Sequence, residues 1–406
     1  FESGEVPTIQ QLFELGTAGP LESQIPPWTA SAWPSMYTGK NPGKHGVYDF
    51  LSFDGYDWDV VNATHVRERP VWELLSEHGF TSVVVNMPVT HPARAFDGAL
   101  IPGLTAPEDP ACHPEGILED VKLACGGDYW IYPQNSPAPD RSIEGYKQTI
   151  ELRGKAFRYL CRRLAPDFGF LQFQQTDSVF HERPGDKQAI EAVYRAVDHE
   201  LEETIERTDP ENVLLVSDHG MGTVTGDEFR VNEFLRAKGY VSAQSGGEGM
   251  PDWSKSWEND LLEGSDASDD GPNAIERAMN LAATVGITTQ RVANALDTVG
   301  LKEPIGKRVP NDMIRAASEQ VDFPNSRAYV RSKSELGVRL NLEGREPNGQ
   351  VPAKDYERVR EELIDELSAV RTPDGDPMFD AVEPRETFFE GPYLEDAPDI
   401  LTVPAG

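Results

Sequence analysis

The chain has 406 residues, a formal net charge of -32 and 38% hydrophobic residues, enough for one large α/β domain with an insertion or for two domains. So acidic a chain repels polyanions, which excludes a nucleic-acid polymer as partner. Arginine outnumbers lysine roughly two to one, and an acidic, lysine-poor surface suits a high-salt cytoplasm, where salt screens self-repulsion and carboxylates hold water.

In chain order, Pro7–Leu15 reads as a helix, with proline early and Gly16 at its end. Gly19–Ile25 reads as a strand. Two prolines then stop any helix before Trp28, and Thr29 stands where a new helix begins. The first N–H groups of a helix lack intrahelical partners and favour anions, so a hydroxyl there occupies an anion-binding position; the plain alternative is that Thr29 is an N-cap. The stretch TGKNPGKHG that follows is a turn-rich loop. Val71–Glu77 is helical. Phe80–Asn86 (FTSVVVN) is a continuous apolar run, as in a strand buried on both faces. Met87–Pro110, rich in Pro and Gly, reads as loop.

Ile143–Leu164 is an amphipathic helix, Phe168–Gln174 the next buried strand, and Lys187–Glu206 another helix. Asn212–Ser217 (NVLLVS) reads as a strand ending on Asp218-His219-Gly220, followed by a short helix, Val231–Ala237. This alternation predicts an α/β fold: a three-layer α/β/α sandwich with a mostly parallel central sheet and a helical insertion. From Ser242 the composition turns to Gly, Ser, Asp and Glu, and Asn273–Glu319 is helical in pattern. Strand signals return at Ser326, a helix follows over Asp355–Arg371, and Asp399–Val403 is the last strand. The domain plan is a catalytic core at 1–241, an acidic loop with a helical lid at 242–322, and the rest of the core at 323–406.

Cys112, Cys125 and Cys161 show no CxxC spacing, which argues against a disulfide framework or structural zinc site. No apolar run is long enough to span a bilayer, and no signal-peptide pattern is present; the expectation is a cytoplasmic protein without a membrane partner. Oligomeric state has no signal here.

Three clusters carry chemistry, each placed by this reading at the end of an element: Thr29; Asp177 with His181, four residues apart and on one face of any helical turn; and Asp218 with His219. In doubly wound sheets function collects outside the carboxyl ends of strands. Asp and His are oxygen and nitrogen ligands for zinc and similar cations. The bland alternative is that Asp218 and His181 are helix caps. Lys40 and Lys44 flank the Thr29 loop, either solvated or near a substrate phosphate. His45 reads as a brace for that loop. His91 and His113 could face a cleft, and Arg345 is either a turn residue or a substrate contact.

Thr29, then Thr38-Gly39, Pro42 and His45-Gly46, with D-x-x-x-H at Asp177 and His181 and DHG at Asp218–Gly220, resembles the alkaline phosphatase superfamily. The resemblance is to its type I phosphodiesterase and nucleotide pyrophosphatase branch. It implies a binuclear-metal phosphoric ester hydrolase acting on small-molecule phosphate mono- or diesters. Asp177 and His181 would hold one divalent ion. Asp218, His219 and the Thr29 oxygen would hold the other, with zinc first and manganese as the alternative. Thr29 would be the nucleophile and form a phosphothreonine intermediate. A phosphomutase or phosphotransferase of the same superfamily is the alternative, favoured by a lid that excludes water. The resemblance also implies an aspartate upstream of the nucleophile and a histidine near the C-terminus. Neither occurs in the sequence, which leads to the expectation that the parent gene continues past both ends. Phe50 stands where nucleotide pyrophosphatases place an asparagine, which weakens a nucleotide assignment.

Overall fold

Among the described residues, 82–87, SVVVNM, form the central strand of a three-stranded sheet, and all six are buried. Val83, Val84 and Val85 expose none of their surface, because β-branched side chains pack well on both faces of a pleated strand covered on each side. The description here is of a computed structural model and covers residues 4–133, 143–222, 228–245, 250 and 319–405. They divide into two units. The first holds 1–52, 60–225 and 390–394; the second holds 53–59, 226–389 and 395–406.

The first unit begins with α1 (Pro7–Leu15), α2 (Thr29–Thr38) and the single turn α3 (Pro42–His45). A hairpin, β1 (Leu51–Asp54) and β2 (Asp57–Val60), follows, its tip assigned to the second unit. Then come α4 (Val71–Glu77), β3 (Ser82–Met87), β4 (Gly98–Pro102), α5 (Ile117–Cys125), α6 (Ile143–Leu164), β5 (Phe168–Leu171), α7 (Gln175–Glu182) and α8 (Lys187–Thr208). The sheet runs β4-β3-β5, parallel throughout. Register places Val85 beside Leu171, so the carboxyl ends of β3 and β5 open on the same edge.

Helices lie on both faces of this sheet. A Cβ on Gly169 would lie 2.6 Å from the Phe157 ring of α6. The next residue, Phe170, points the other way, as strand alternation requires. It meets Trp33 of α2 at 5.9 Å and Trp72 of α4 at 6.5 Å. Helix, sheet and helix are thus stacked as the sequence predicts. Beyond the sheet, Tyr146, Ile150, Val179, Ala189, Val193 and Val197 join α6, α7 and α8 in one apolar cluster. Asp198 of α8 accepts the Thr8 and Ile9 amides at 3.1 and 2.8 Å, capping α1 and complementing its dipole.

The second unit holds α9 (Val231–Ala237), the β6–β7 pair (Ala243–Ser245, Glu319–Val321), β8 (Ala328–Tyr329), β9 (Gly337–Leu340), α10 (Tyr356–Ser368), β10 (Phe379–Pro384) and β11 (Ile400–Pro404). Its main sheet is β10-β11-β9-β8, antiparallel at each pairing. Val359, Leu363 and Leu367, four apart on one face of α10, are fully buried in its core. The α/β class therefore holds. The strands after residue 326 form this separate antiparallel sheet instead of extending the parallel one. The expected lid, 242–322, lies almost entirely outside the described residues.

Three local expectations fail. Gly19–Ile25 is not a strand; it mixes Gly, Pro and polar residues and finds no pairing partner among the described residues. Asn212–Ser217 forms no strand either: Val213, Leu214 and Leu215 stay 41%, 88% and 49% exposed. Apolar sequence alone does not make a strand; without a neighbouring ladder its backbone groups have nothing to bond. Conversely, residues 98–102 form β4 inside a stretch read as loop, because pairing with β3 overrides the local Gly and Pro content.

Candidate active site

The carboxyl end of β5 leads through Gln172–Gln174 into α7, and this brief link sets the site. The helical turn expected after the strand is there. Asp177 and His181 share a face, with His181 Nε2 at 3.4 Å from Asp177 Oδ1. The carboxylate of Asp177 raises the His181 pKa against the opposing effect of burial. His181 itself is largely exposed, at 65% of its side chain.

Thr29 is the first residue of α2, not its cap. Trp28 has the extended N-cap backbone, and its carbonyl accepts the Ser31 and Ala32 amides at 2.9 and 2.8 Å. The N-cap alternative for Thr29 therefore fails, and the hydroxyl is free to point elsewhere. It meets His219 Nε2 at 3.1 Å. On the other side of that ring, Nδ1 lies 2.8 Å from the Gly220 carbonyl. A carbonyl only accepts, so Nδ1 carries a proton, and in the neutral ring Nε2 then presents its lone pair to the Thr29 hydroxyl.

Two carboxylates border the same nitrogen. Asp218 Oδ2 is 3.4 Å and Asp177 Oδ1 is 3.8 Å from His219 Nε2. Both oxygens are buried without a hydrogen-bond partner. Burial raises the Asp218 pKa. Thr29, Asp177, Asp218 and His219 thus converge, and His181 joins at the outer side through Asp177. Asp218 and His219 reach this place from an irregular segment, not from a strand end.

Among the described residues, no group of three or more His, Cys, Asp or Glu side chains is already gathered in a metal-holding arrangement. The donor types nevertheless fit a divalent cation: two orphaned buried carboxylate oxygens and an imidazole lone pair leave negative charge unanswered.

His45 is a brace. Burial pushes its pKa down to about 3, so the ring is neutral. Its Nδ1 accepts the Val47 amide at 3.2 Å, and its Nε2 donates to Ser35 Oγ at 2.7 Å. Ser35 donates to Gln24 Oε1; Gln24 Nε2 donates to Ser31 Oγ at 2.6 Å; Ser31 donates to the Val47 carbonyl at 2.9 Å. These bonds form a closed circuit tying α2 to the loop after it. Lys44 pairs with Glu390 at 2.6 Å, and Lys40 is exposed. His113 Nε2 is 2.7 Å from the Phe96 carbonyl, a structural contact. His91 is half-buried, with Nδ1 lacking a hydrogen-bond partner. Phe50 is buried in the core. Arg345 is structural: it grips Asp399 with both terminal nitrogens at 2.6 and 2.7 Å. Sequence reasoning missed Gln24, Gln172 and Gln174; the glutamine-rich run 172–175 just before Asp177 was the available signal.

Two solved structures of phosphonoacetate hydrolase from Sinorhizobium meliloti 1021 are similar to the chain. The complex with phosphonoformate matches at 15% identity and a TM-score of 0.48, covering 100% of this chain and 76% of that one. The complex with phosphonoacetate matches at 16% and 0.46, with the same coverage. No curated protein matches at a significant level. The family description "Type I phosphodiesterase / nucleotide pyrophosphatase" matches residues 1–405. Spanning nearly the whole chain, that match means the protein belongs to the type I phosphodiesterase / nucleotide pyrophosphatase family, one of phosphoester hydrolases.

Proposed function

We propose that the protein hydrolyses small phosphate mono- or diesters in a metal-dependent reaction, with Thr29 as nucleophile. The observation that carries this reading is the Thr29 Oγ1 to His219 Nε2 contact of 3.1 Å beside two buried oxygens without a hydrogen-bond partner, Asp177 Oδ1 and Asp218 Oδ2. Asp177 and His181 would hold one divalent ion, and Asp218, His219 and Thr29 a second, zinc or manganese. Such ions supply positive charge that lowers a hydroxyl pKa and offsets developing negative charge on phosphoryl oxygens.

The chain's own part is as follows. The His219 lone pair polarises the Thr29 hydroxyl and is equally suited to serve as a ligand. Thr29 Oγ forms the new bond to phosphorus as the ester oxygen leaves and takes a proton, giving phosphothreonine; water then cleaves that ester and restores Thr29. The backbone N–H of Ala30, in the first turn of α2, has no intrahelical acceptor by position and can donate to a phosphoryl oxygen. The acidic surface supports a high-salt working environment. Activity should persist from about 0.1 M to about 1 M KCl, where the Debye length falls from about 10 to about 3 Å; loss of activity at the upper end would refute this. Three free cysteines support a reducing, cytoplasmic compartment, which cell fractionation would check.

The test is a panel of aryl phosphate mono- and diesters assayed with Zn²⁺ or Mn²⁺ beside Thr29→Ala. Turnover should fall by about three orders of magnitude or more, as when a nucleophile is removed. Undiminished turnover in Thr29→Ala would sink the mechanism.

A further inference from the structure

A row of side-chain amides runs from the sheet into the candidate site. Asn86 Nδ2 donates to Gln172 Oε1. Gln172 Nε2 donates to Gln174 Oε1 at 2.8 Å. Gln174 Nε2 donates to Asp177 Oδ2 at 3.1 Å. Asn86 exposes no surface and Gln172 only 7%.

The direction of the row is fixed from one end. A carboxylate only accepts, so Gln174 must turn its NH₂ toward Asp177. Its carbonyl then faces Gln172, which must offer NH₂ in turn, and Asn86 must do the same. Every amide dipole therefore points the same way, and hydrogen bonds in such a row polarise one another. Two further observations agree. The Asn86 Oδ1 at the far end is buried without a hydrogen-bond partner, as expected when the amide has been turned to serve the row. Asn86 also holds a left-handed backbone, φ 64°, which asparagine tolerates better than most residues.

The sheet builds the first link. Val85 and Leu171 are register partners, and Gln172 N extends the ladder to the Val85 carbonyl at 3.1 Å. The residues that follow, Asn86 and Gln172, therefore leave the sheet side by side. The last link fixes Asp177 about its own torsion: Oδ2 is held by Gln174, and Oδ1 is turned toward His181 and His219.

We propose that Asn86, Gln172 and Gln174 are positioning residues, a one-way amide relay that holds Asp177 with Oδ1 presented for a divalent cation. This rests on the metal-dependent reading above. Outer-shell partners of metal ligands commonly change affinity by about 10–100-fold when removed.

The experiment is calorimetric titration of the full chain with Mn²⁺, without substrate. Gln174→Met, Gln172→Met and the double variant form a cycle, with Asn86→Gly as a third point because glycine keeps the left-handed backbone. Gln174→Met should weaken Mn²⁺ binding about 10–100-fold, Gln172→Met less, and Asn86→Gly least. In the Gln174→Met background, Gln172→Met should have no further effect on affinity, because the relay is already cut. A merely structural glutamine would lower the unfolding midpoint in chelator but would give losses that add independently. Additive losses, or wild-type affinity in Gln172→Met, overturn the relay alone. Absence of Mn²⁺ binding in the wild type overturns the metal reading and the relay with it.

Discussion

Asp218→Asn should stabilise the protein in chelator and destabilise it, relative to wild type, in metal. Asp218 is 14% exposed at its side chain, and its Oδ2 has no hydrogen-bond partner. In its neutral form the neighbouring His219 ring presents a lone pair at Nε2, not a proton. A buried acceptor left unsatisfied costs about 1–3 kcal/mol, more when charged. Asparagine has nearly the same shape without the charge, so the variant should gain about 1–3 kcal/mol in chelator, a midpoint rise of several degrees. A cation that binds only the folded wild type adds about 2.7 kcal/mol at a hundredfold excess over its dissociation constant, which reverses the order.

The pH dependence has a definite sign. Burial raises the folded pKa of Asp218 above its ordinary value of 3.8. The penalty is therefore full above the raised value and fades as pH falls through it. The gap between variant and wild type in chelator should close on acidification. The assay is thermal and urea unfolding of both proteins, with EDTA and with Mn²⁺, across pH 4–8. A variant that is less stable than wild type in EDTA, or a gap that ignores pH, would refute the idea that this carboxylate is held for a cation.

Two further predictions concern groups away from the carboxylates. Because the folded His45 pKa is pushed from 6.5 down to about 3, stability should be lost as pH falls below 6.5, by roughly 1.4 kcal/mol per unit and roughly 4–5 kcal/mol in all. His45→Gln should flatten that slope in urea titrations while lowering stability at neutral pH by about 1–3 kcal/mol through broken bonds of the circuit; an unchanged slope would disprove the assignment. In the second unit, Asp399 is fully buried and accepts Arg345, Tyr356 and the Leu340 amide at 2.6–2.8 Å. Asp399→Asn should cost about 3–5 kcal/mol by breaking a buried charge pair, although Arg345 keeps Glu346 at 2.9 Å. Burial pushes the Asp399 carboxyl up, but the Arg345, Arg339 and Arg385 guanidiniums together hold its pKa at about 2, so its stabilisation is present above 3.8 and lost as pH falls toward 2. A loss under about 1 kcal/mol in urea unfolding would count against this network.

What the sequence made legible was periodic or punctuated. Pro7–Leu15, Val71–Glu77, Ile143–Leu164 and Val231–Ala237 begin and end where their prolines, glycines and apolar spacing place them. The helical turn linking Asp177 to His181 was likewise legible from their four-residue spacing. What escaped was set by pairing. Residues 98–102 become a strand because β3 lies beside them, and 212–217 stay irregular because no described strand pairs with them. The convergence of Thr29, Asp177 and His219 was legible only as three motifs in order, since contacts between residues 29 and 219 have no local signature. The glutamines before Asp177 were overlooked because single amides carry no spacing rule; their meaning depends on which way each neighbour must donate.

The exposed stretch around Leu214 has a colloidal consequence. A net charge of -32 keeps molecules apart at low ionic strength, and an 88% exposed leucine flanked by half-exposed Val213 and Leu215 is harmless while they are far apart. At about 1 M salt the Debye length shrinks to about 3 Å, and repulsion no longer hides that patch. The same salt that relieves the crowded carboxylates therefore makes the surface sticky at one spot. Light scattering against KCl should rise in the wild type and stay flat in Leu214→Ser; equal curves would show that the patch plays no part in self-association.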